Sequence, residues 1–400
     1  MASLIRITFT RMLNNAKTSN MEIIRNISGK TMRATLPAPK PKPYDYNNKS
    51  YPTYKFFLDR TTSRFTENTK VIVVEGPLAA GKSKFAKELA DELEMKYYPE
   101  ANLDMWYIND YGFDTRTLDD QLPESCKSFD VNNFMLNPKH RLTAQFQVKQ
   151  YAVKFSQYID ALAHLLSTGQ GVILDRCVYS DFVFVEAMYS QGYISKGARS
   201  FYYDLRKSSI GELLRPHLII YLDVPVGKVL ENVKNRNIPY ECNSPVLNAQ
   251  YLTTMEQFYK QKYLKEMSVR SELLVYDWTN EGETEVIVED IERMKFENYD
   301  DQNPKFEDWM EGSDEAWALL RQKYSDTKGS LMYFLNVPRY DVPELITDAD
   351  DSKEYRDIMN NAPGNEYVKG YNASLGDGSL WFKTKLPHRE TLPLRERRIF

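Results

Sequence analysis

The chain has 400 residues, is 42 % hydrophobic and 13 % aromatic, and carries a formal net charge of -4. That is ample material for a core, and it leaves no overall field to hold nucleic acid or an anionic surface. Cys126, Cys177 and Cys242 form no CxxC pair and His140, His164, His217 and His388 are scattered, which argues against a disulfide framework, a sulfur-ligated zinc site and an iron–sulfur cluster; no flavin motif appears either.

From Met1 to Pro43 the basic residues Arg6, Arg11, Lys17, Arg25, Lys30, Arg33, Lys40 and Lys42 face one acid, Glu22. A basic, hydroxyl-rich start with apolar Leu4, Ile5, Ile7, Phe9 and Leu13 reads as a mitochondrial transit peptide over residues 1–27. Arg25-Asn26-Ile27-Ser28 resembles a matrix-peptidase site with cleavage before Ser28; a disordered basic tail is the alternative. Nowhere is there an apolar run of about 18 residues, the length that suggests a membrane span. Pro37–Pro52 carries too many prolines for a helix, so residues 28–69 read as an extended arm ahead of the folded domain.

Val71–Glu75 is a β-branched run that predicts a buried strand. Ser83–Met95 follows with helical spacing at Phe85, Leu89 and Leu93. Thr143–Ser167 is the strongest helix, its apolar residues alternating steps of four and three; its aromatic content favours a core helix over a coiled-coil seam. Val172–Leu174 and His217–Val224 predict further buried strands, and Leu273–Tyr276 a short one. Helices are expected from Pro225 to about Arg236, over Asn248–Leu264 and over Glu283–Lys295. Strands alternating with helices imply an α/β fold with a mostly parallel sheet over residues 70–296. Beyond it, Phe306–Tyr324 reads as one helix. Ser330–Phe400 shows little periodicity but keeps aromatic anchors such as Tyr333, Phe334, Tyr340, Tyr371 and Trp381. Residues 297–400 are therefore expected to be an extension lying along a surface, its own or a partner's.

Gly76-Pro77-Leu78-Ala79-Ala80-Gly81-Lys82-Ser83 matches GxxxxGK[ST] between a predicted strand and a predicted helix, the context that makes this motif specific. Backbone N–H groups of Gly76, Ala79, Ala80 and Gly81 can turn inward around phosphate. Lys82 would reach the outer phosphates and Ser83 would hold Mg²⁺. Asp175-Arg176 closes the second predicted buried strand, where Asp175 would meet the metal and Arg176 a substrate or phosphate. Glu100 offers a base for an acceptor hydroxyl, with Asp104 close enough to be the alternative.

The P-loop, Pro99-Glu100, Phe146-Gln147, "DRCVYSDFVF" at Asp175–Phe184 and "YLDVPVGKVLENVKNRN" at Tyr221–Asn237 resemble the deoxynucleoside kinases from about Lys70 to Lys295. Within that family, "STGQGVILDRCVYSDFVFVEAMYSQGYI", "RPHLIIYLDVPV" and "VIVEDIERMKF" are similar to the kinase-like accessory subunits of mitochondrial respiratory complex I. The resemblance implies a three-layer nucleotide-kinase-like fold and a bound nucleotide (ATP, ADP or a deoxynucleotide), with Mg²⁺ as a companion. It also implies a matrix location peripheral to the inner membrane, with other complex I subunits as partners. By the same resemblance Gln147 would read a base, Lys154 stands where the kinases keep an arginine, and Arg176 would serve substrate.

Departures from the active kinases fall in the catalytic parts. A further arginine expected after Ser180-Asp181 is Phe182. The lid, R-x-R-x-R-x-R and then Glu-Glu in the kinases, aligns with Asn232, Lys234, Arg236 and Ile238, then Tyr240-Glu241, and Pro239 stiffens it. Arginines on a transferring phosphoryl group contribute about 10³–10⁵ in rate, and a lysine lacks their planar fork. The resemblance and these departures from it together imply an accessory subunit that keeps a phosphate cradle, with Lys234 and Arg236 completing it, and turns nucleotide over poorly. A working deoxynucleoside kinase, with Glu100 and Arg176 in catalytic roles, and a nucleotide sensor with a mobile lid are the alternatives.

Overall fold

The computed structural model describes residues 27–30, 41–296, 303–367 and 370–378; most of the transit-peptide reading and Trp381 lie outside the described residues. Five strands, β1 (Val71–Glu75), β2 (Lys96–Tyr98), β3 (Val172–Asp175), β4 (Leu218–Asp223) and β5 (Glu272–Asp277), form one sheet in the order β2-β3-β1-β4-β5. Every pairing is parallel. Val71–Val74 are all buried, as expected for a central strand covered by helices on both faces. The register sets Val74 beside Asp175, so β1 and β3 deliver the ends of both motifs to one crevice at the carboxyl edge of the sheet, where open α/β sheets place ligands.

The helix Thr143–Thr168 is buried on nearly every face, more than its amphipathic spacing predicts. The arm and the extension cover its outer side. Tyr44 donates its N–H to the Ser167 carbonyl at 3.1 Å, the Tyr46 hydroxyl meets His164 Nδ1 at 3.0 Å, and Lys328 pairs with Asp160 at 2.9 Å. Arg321 locks arm to extension: fully buried, it stacks 3.7 Å above the Tyr51 ring, lies 4.6 Å from that of Tyr44, and pairs with Asp59 at 3.2 Å. This much of the extension lies on the chain's own surface, and Tyr44–Tyr51 of the arm is docked, not free.

Three expectations change. Phe306–Tyr324 is a short turn, Glu307–Trp309, and a separate helix, Asp314–Ser325. Phe306 adopts φ 60, the Trp309 indole donates to the Arg215 carbonyl at 2.7 Å, and Ser313 caps the new helix. Asn248–Leu264 is interrupted by a widened π turn, Tyr259–Tyr263, between Ala249–Phe258 and Leu264–Ser268. The stretch from Ser330, expected to show little periodicity, begins inside the helix Lys328–Tyr333 and contains a second helix, Ala349–Asn361. Its anchors are not Tyr333, Phe334 and Tyr340, which are exposed; upstream Trp317, Tyr324, Leu331 and Met332 are buried instead.

Candidate functional site

The P-loop follows β1 directly. Gly76 has φ 155, and a Cβ there would sit 2.8 Å from the Leu222 carbonyl oxygen of β4, so only glycine lets the chain turn out of the sheet at this point. Gly81 N-caps the helix Lys82–Leu93 in a left-handed conformation, which leaves the first N–H groups of that helix pointing into the crevice. Lys82 is buried and donates to the Pro77 carbonyl at 2.8 Å. Burial, aided by the Arg176 guanidinium, lowers its pKa to about 8 against the opposing pull of Glu100, Asp175 and Glu75. The Ser83 hydroxyl donates to Asp175 Oδ2, while the buried Asp175 Oδ1 has no hydrogen-bond partner.

Arg176 follows with φ 60 and a buried guanidinium that binds the Gly76 carbonyl at 2.9 Å and Glu100 Oε1. Burial pushes the Glu100 carboxyl up, but Arg176, Lys82 and Lys154 overrule it and hold the pKa at about 2. Glu100 lines the cavity. Asp104 does not; it is exposed to solvent and pairs with Arg116 at 2.9 Å.

One residue that sequence reasoning missed lies beneath these. Glu75, wholly buried, accepts from the Cys177 N–H at 3.2 Å and from the hydroxyls of Tyr259 at 3.3 Å and Tyr263 at 3.4 Å. Burial raises its pKa. The π turn brings these two tyrosines, four residues apart, onto one carboxylate. A carboxylate at the end of a buried β-branched run was the available signal.

The cavity has a volume of about 750 Å³ and runs from the P-loop to an aromatic end, where Phe134 and Phe146 stack 5.3 Å apart near Met135, Met188 and Tyr251. Gln147 and Lys154 both line it, but both are engaged: the Gln147 amide donates to Asp181 Oδ2 at 2.9 Å and Lys154 pairs with Asp181 Oδ1 at 2.7 Å. The Tyr202 hydroxyl donates to the same carboxylate at 2.8 Å. Asp181 is wholly buried and is a second residue the sequence reading passed over. Phe182, at the position where the resemblance implies an arginine, is buried beneath Arg206 and Lys262.

On the lid side, Asn232 donates to the Ala79 carbonyl at 3.0 Å, and Arg236 lines the cavity while lying 3.5 Å from Glu241. Lys234 is exposed and does not line it; Asn235 does. Of the two expected lid cations, the structure thus brings one to the site. The helix Val226–Arg236 turns Lys234 to its outer side, and the short helix Pro239–Cys242 follows it.

The family model described as deoxynucleoside kinase matches residues 72–312. The mouse (Mus musculus) protein named NADH dehydrogenase (ubiquinone) 1 alpha subcomplex subunit 10, mitochondrial, is 38 % identical over 328 residues, which is 81 % of this chain and 87 % of that protein. Deoxyguanosine kinase of Dictyostelium discoideum is 26 % identical over 236 residues, 59 % of this chain and 73 % of that one. A solved structure of M. mycoides deoxyadenosine kinase with bound dATP aligns at 17 % identity and a TM-score of 0.41, covering 56 % of this chain and 98 % of that one.

Proposed function

Because the chain belongs to the deoxynucleoside kinase family and, within it, groups with the alpha subcomplex subunit 10 proteins, we propose that it is an accessory, non-redox subunit of mitochondrial respiratory complex I. It would support assembly and stability of the matrix-exposed region, peripheral to the inner membrane, and hold a nucleotide with little or no turnover. The observation that carries this reading is the likeness to relatives so named over four-fifths of the chain. No helix among the described residues is long and apolar enough to cross a membrane, so attachment would run through partner subunits. Exposed large apolar residues concentrate outside the kinase-like domain, at Tyr54, Phe57 and Leu58 of the arm and at Leu319, Tyr333 and Tyr340 of the extension, which supports these as the partner-contacting parts.

The nucleotide would lay its phosphates on the N–H groups of Gly76 and Ala79–Ser83, with Lys82 and Arg236 as counter-charges, and its base at the aromatic end. Ser83 would hold a Mg²⁺ ion, with the buried Asp175 carboxylate behind its hydroxyl, and the ion would neutralise phosphate charge. Two features support low turnover. A carboxylate held at about 2 by Arg176 is a weak base toward a hydroxyl. The lid offers Arg236, already near Glu241, in place of several arginines.

Native electrophoresis of gently solubilised mitochondria tests the reading. The protein is expected to migrate with the NADH-dehydrogenase band; migration as a free monomer or dimer would overturn it. The second reading, a working deoxynucleoside kinase, draws on Glu100 lining the cavity beside an intact P-loop. It predicts steady phosphorylation of a deoxynucleoside that Lys82→Ala abolishes.

A further inference from the structure

Residues 27–30 occupy a seat built from three parts of the kinase-like domain. The Ile27 side chain is 1 % exposed and belongs to the core. The main chain of Ser28 is clamped on both sides by one buried side chain: its N–H donates to Asn68 Oδ1 at 2.9 Å and its carbonyl accepts from Asn68 Nδ2 at 2.9 Å. The same Asn68 amide also donates to the Leu93 carbonyl at 2.9 Å. Glu292 accepts the Gly29 N–H at 2.6 Å, and the Glu92 carbonyl accepts that of Lys30 at 3.2 Å. A Cβ at Gly29 would lie 3.0 Å from Glu292 Oε1 and 3.2 Å from Val288 Cγ1, so the segment sits close against the helix Thr284–Glu292.

These contacts pair each N–H from Ser28 to Lys30 and fill one apolar site, as a bound peptide would. They join the loop before β1, the end of the helix Lys82–Leu93 and the helix Thr284–Glu292. The first of those helices carries Lys82 and Ser83 at its other end, so the seat braces the P-loop layer.

We propose that Ile27–Lys30 is the N-terminal anchor of the mature chain, and that presequence removal cuts no later than the Asn26–Ile27 bond. That is one residue upstream of the Ser28 start that the local sequence suggests. The proposal rests on the mitochondrial reading above. Hydrolysis of Asn26–Ile27 consumes one water and leaves a carboxylate on Asn26 and an ammonium on Ile27. A cut before Ser28 would strip a fully buried side chain from the core.

The test is the N-terminal sequence, by mass spectrometry, of the protein isolated from its own mitochondria. Retention of Ile27, as first residue or behind a short upstream remnant, is expected; a start at Ser28 or beyond overturns the proposal. A chain that begins at Met1 overturns the cut, whereas migration on the native gel judges the complex I reading separately. Two recombinant chains test the seat itself, one starting at Ile27 and carrying Ile27→Asp, the other starting at Ser28. Each is expected to melt about 3 °C or more below the chain starting at native Ile27; equal melting temperatures would overturn the anchor.

Discussion

The two ends of the cavity differ in what their polar groups already hold. At the P-loop end, Lys82 rests on a backbone carbonyl and Asp175 keeps one buried oxygen without a partner. At the aromatic end, Gln147, Lys154 and Tyr202 converge on Asp181, which is buried and takes three hydrogen bonds. One end keeps a carboxylate oxygen and a helix N-terminus uncommitted; the other has closed on a carboxylate of its own. On the proposed reading phosphate would be held by backbone geometry and one lysine, which side-chain losses elsewhere leave in place. Recognition and transfer rely on several side chains acting together, and those are the ones replaced or engaged.

The largest test breaks the closed end. Asp181→Ala leaves Lys154 buried and unpaired, which should cost about 3–5 kcal/mol of stability in denaturant unfolding. Replacing the pair together, Lys154→Met with Asp181→Leu, should recover most of that loss, because no charge is then left stranded. A single-variant cost below about 1 kcal/mol, in the range of an exposed pair, would show that the carboxylate is not structural and that this end is free for recognition.

The P-loop end should answer in the opposite currency of binding. Lys82→Ala would remove a charge-assisted contact to phosphate, a loss of about 1.5–3 kcal/mol, or roughly 10–150-fold in affinity by calorimetry. Apo stability should stay level or rise, because a buried cation has been removed. If Lys82→Ala lowers stability and leaves affinity unchanged, the two ends do not differ as described.

Much of this was legible in the sequence. The β-branched runs at Val71 and Val172 gave strands because a parallel sheet covered on both faces needs continuous apolar stretches, and the P-loop spacing marked the turn between β1 and the helix Lys82–Leu93 that lines the cavity. What stayed hidden depends on contacts between distant segments. Asp181 looks like a loop acid until the long helix brings Gln147 and Lys154 to it. Glu75 looks like a strand terminus until a π turn some 180 residues later delivers Tyr259 and Tyr263. Lys234 and Arg236 are two apart, so a helix turns them to different sides, and the alignment of the lid could not say which side faced in. The extension misled for the same reason. Its exposed aromatics stood out in the sequence, while Arg321, which fastens it to the arm between two tyrosine rings, reads as an ordinary surface cation.

The smallest test is the pH dependence of binding at the open end. Lys82 has a pKa of about 8 in the folded chain against 10.5 for an unperturbed lysine. Because the folded-state value is lowered, the unfolded chain binds more protons between about pH 8 and 10.5, so the stability of the free protein rises across that window. Below pH 8 the folded chain carries the full cost of the buried charge. A bound phosphate reverses that preference by pairing with the ammonium. Affinity should therefore fall as pH rises through 8, by about fourfold between pH 7 and 8.5, with proton uptake on binding near the top of that range. Calorimetry in two buffers of different ionisation enthalpy reads the uptake directly, and Lys82→Arg should abolish it because guanidinium does not titrate there. A flat profile in the native chain would mean that Lys82 keeps its bond to the Pro77 carbonyl when nucleotide is added, as Gln147 and Lys154 keep theirs to Asp181.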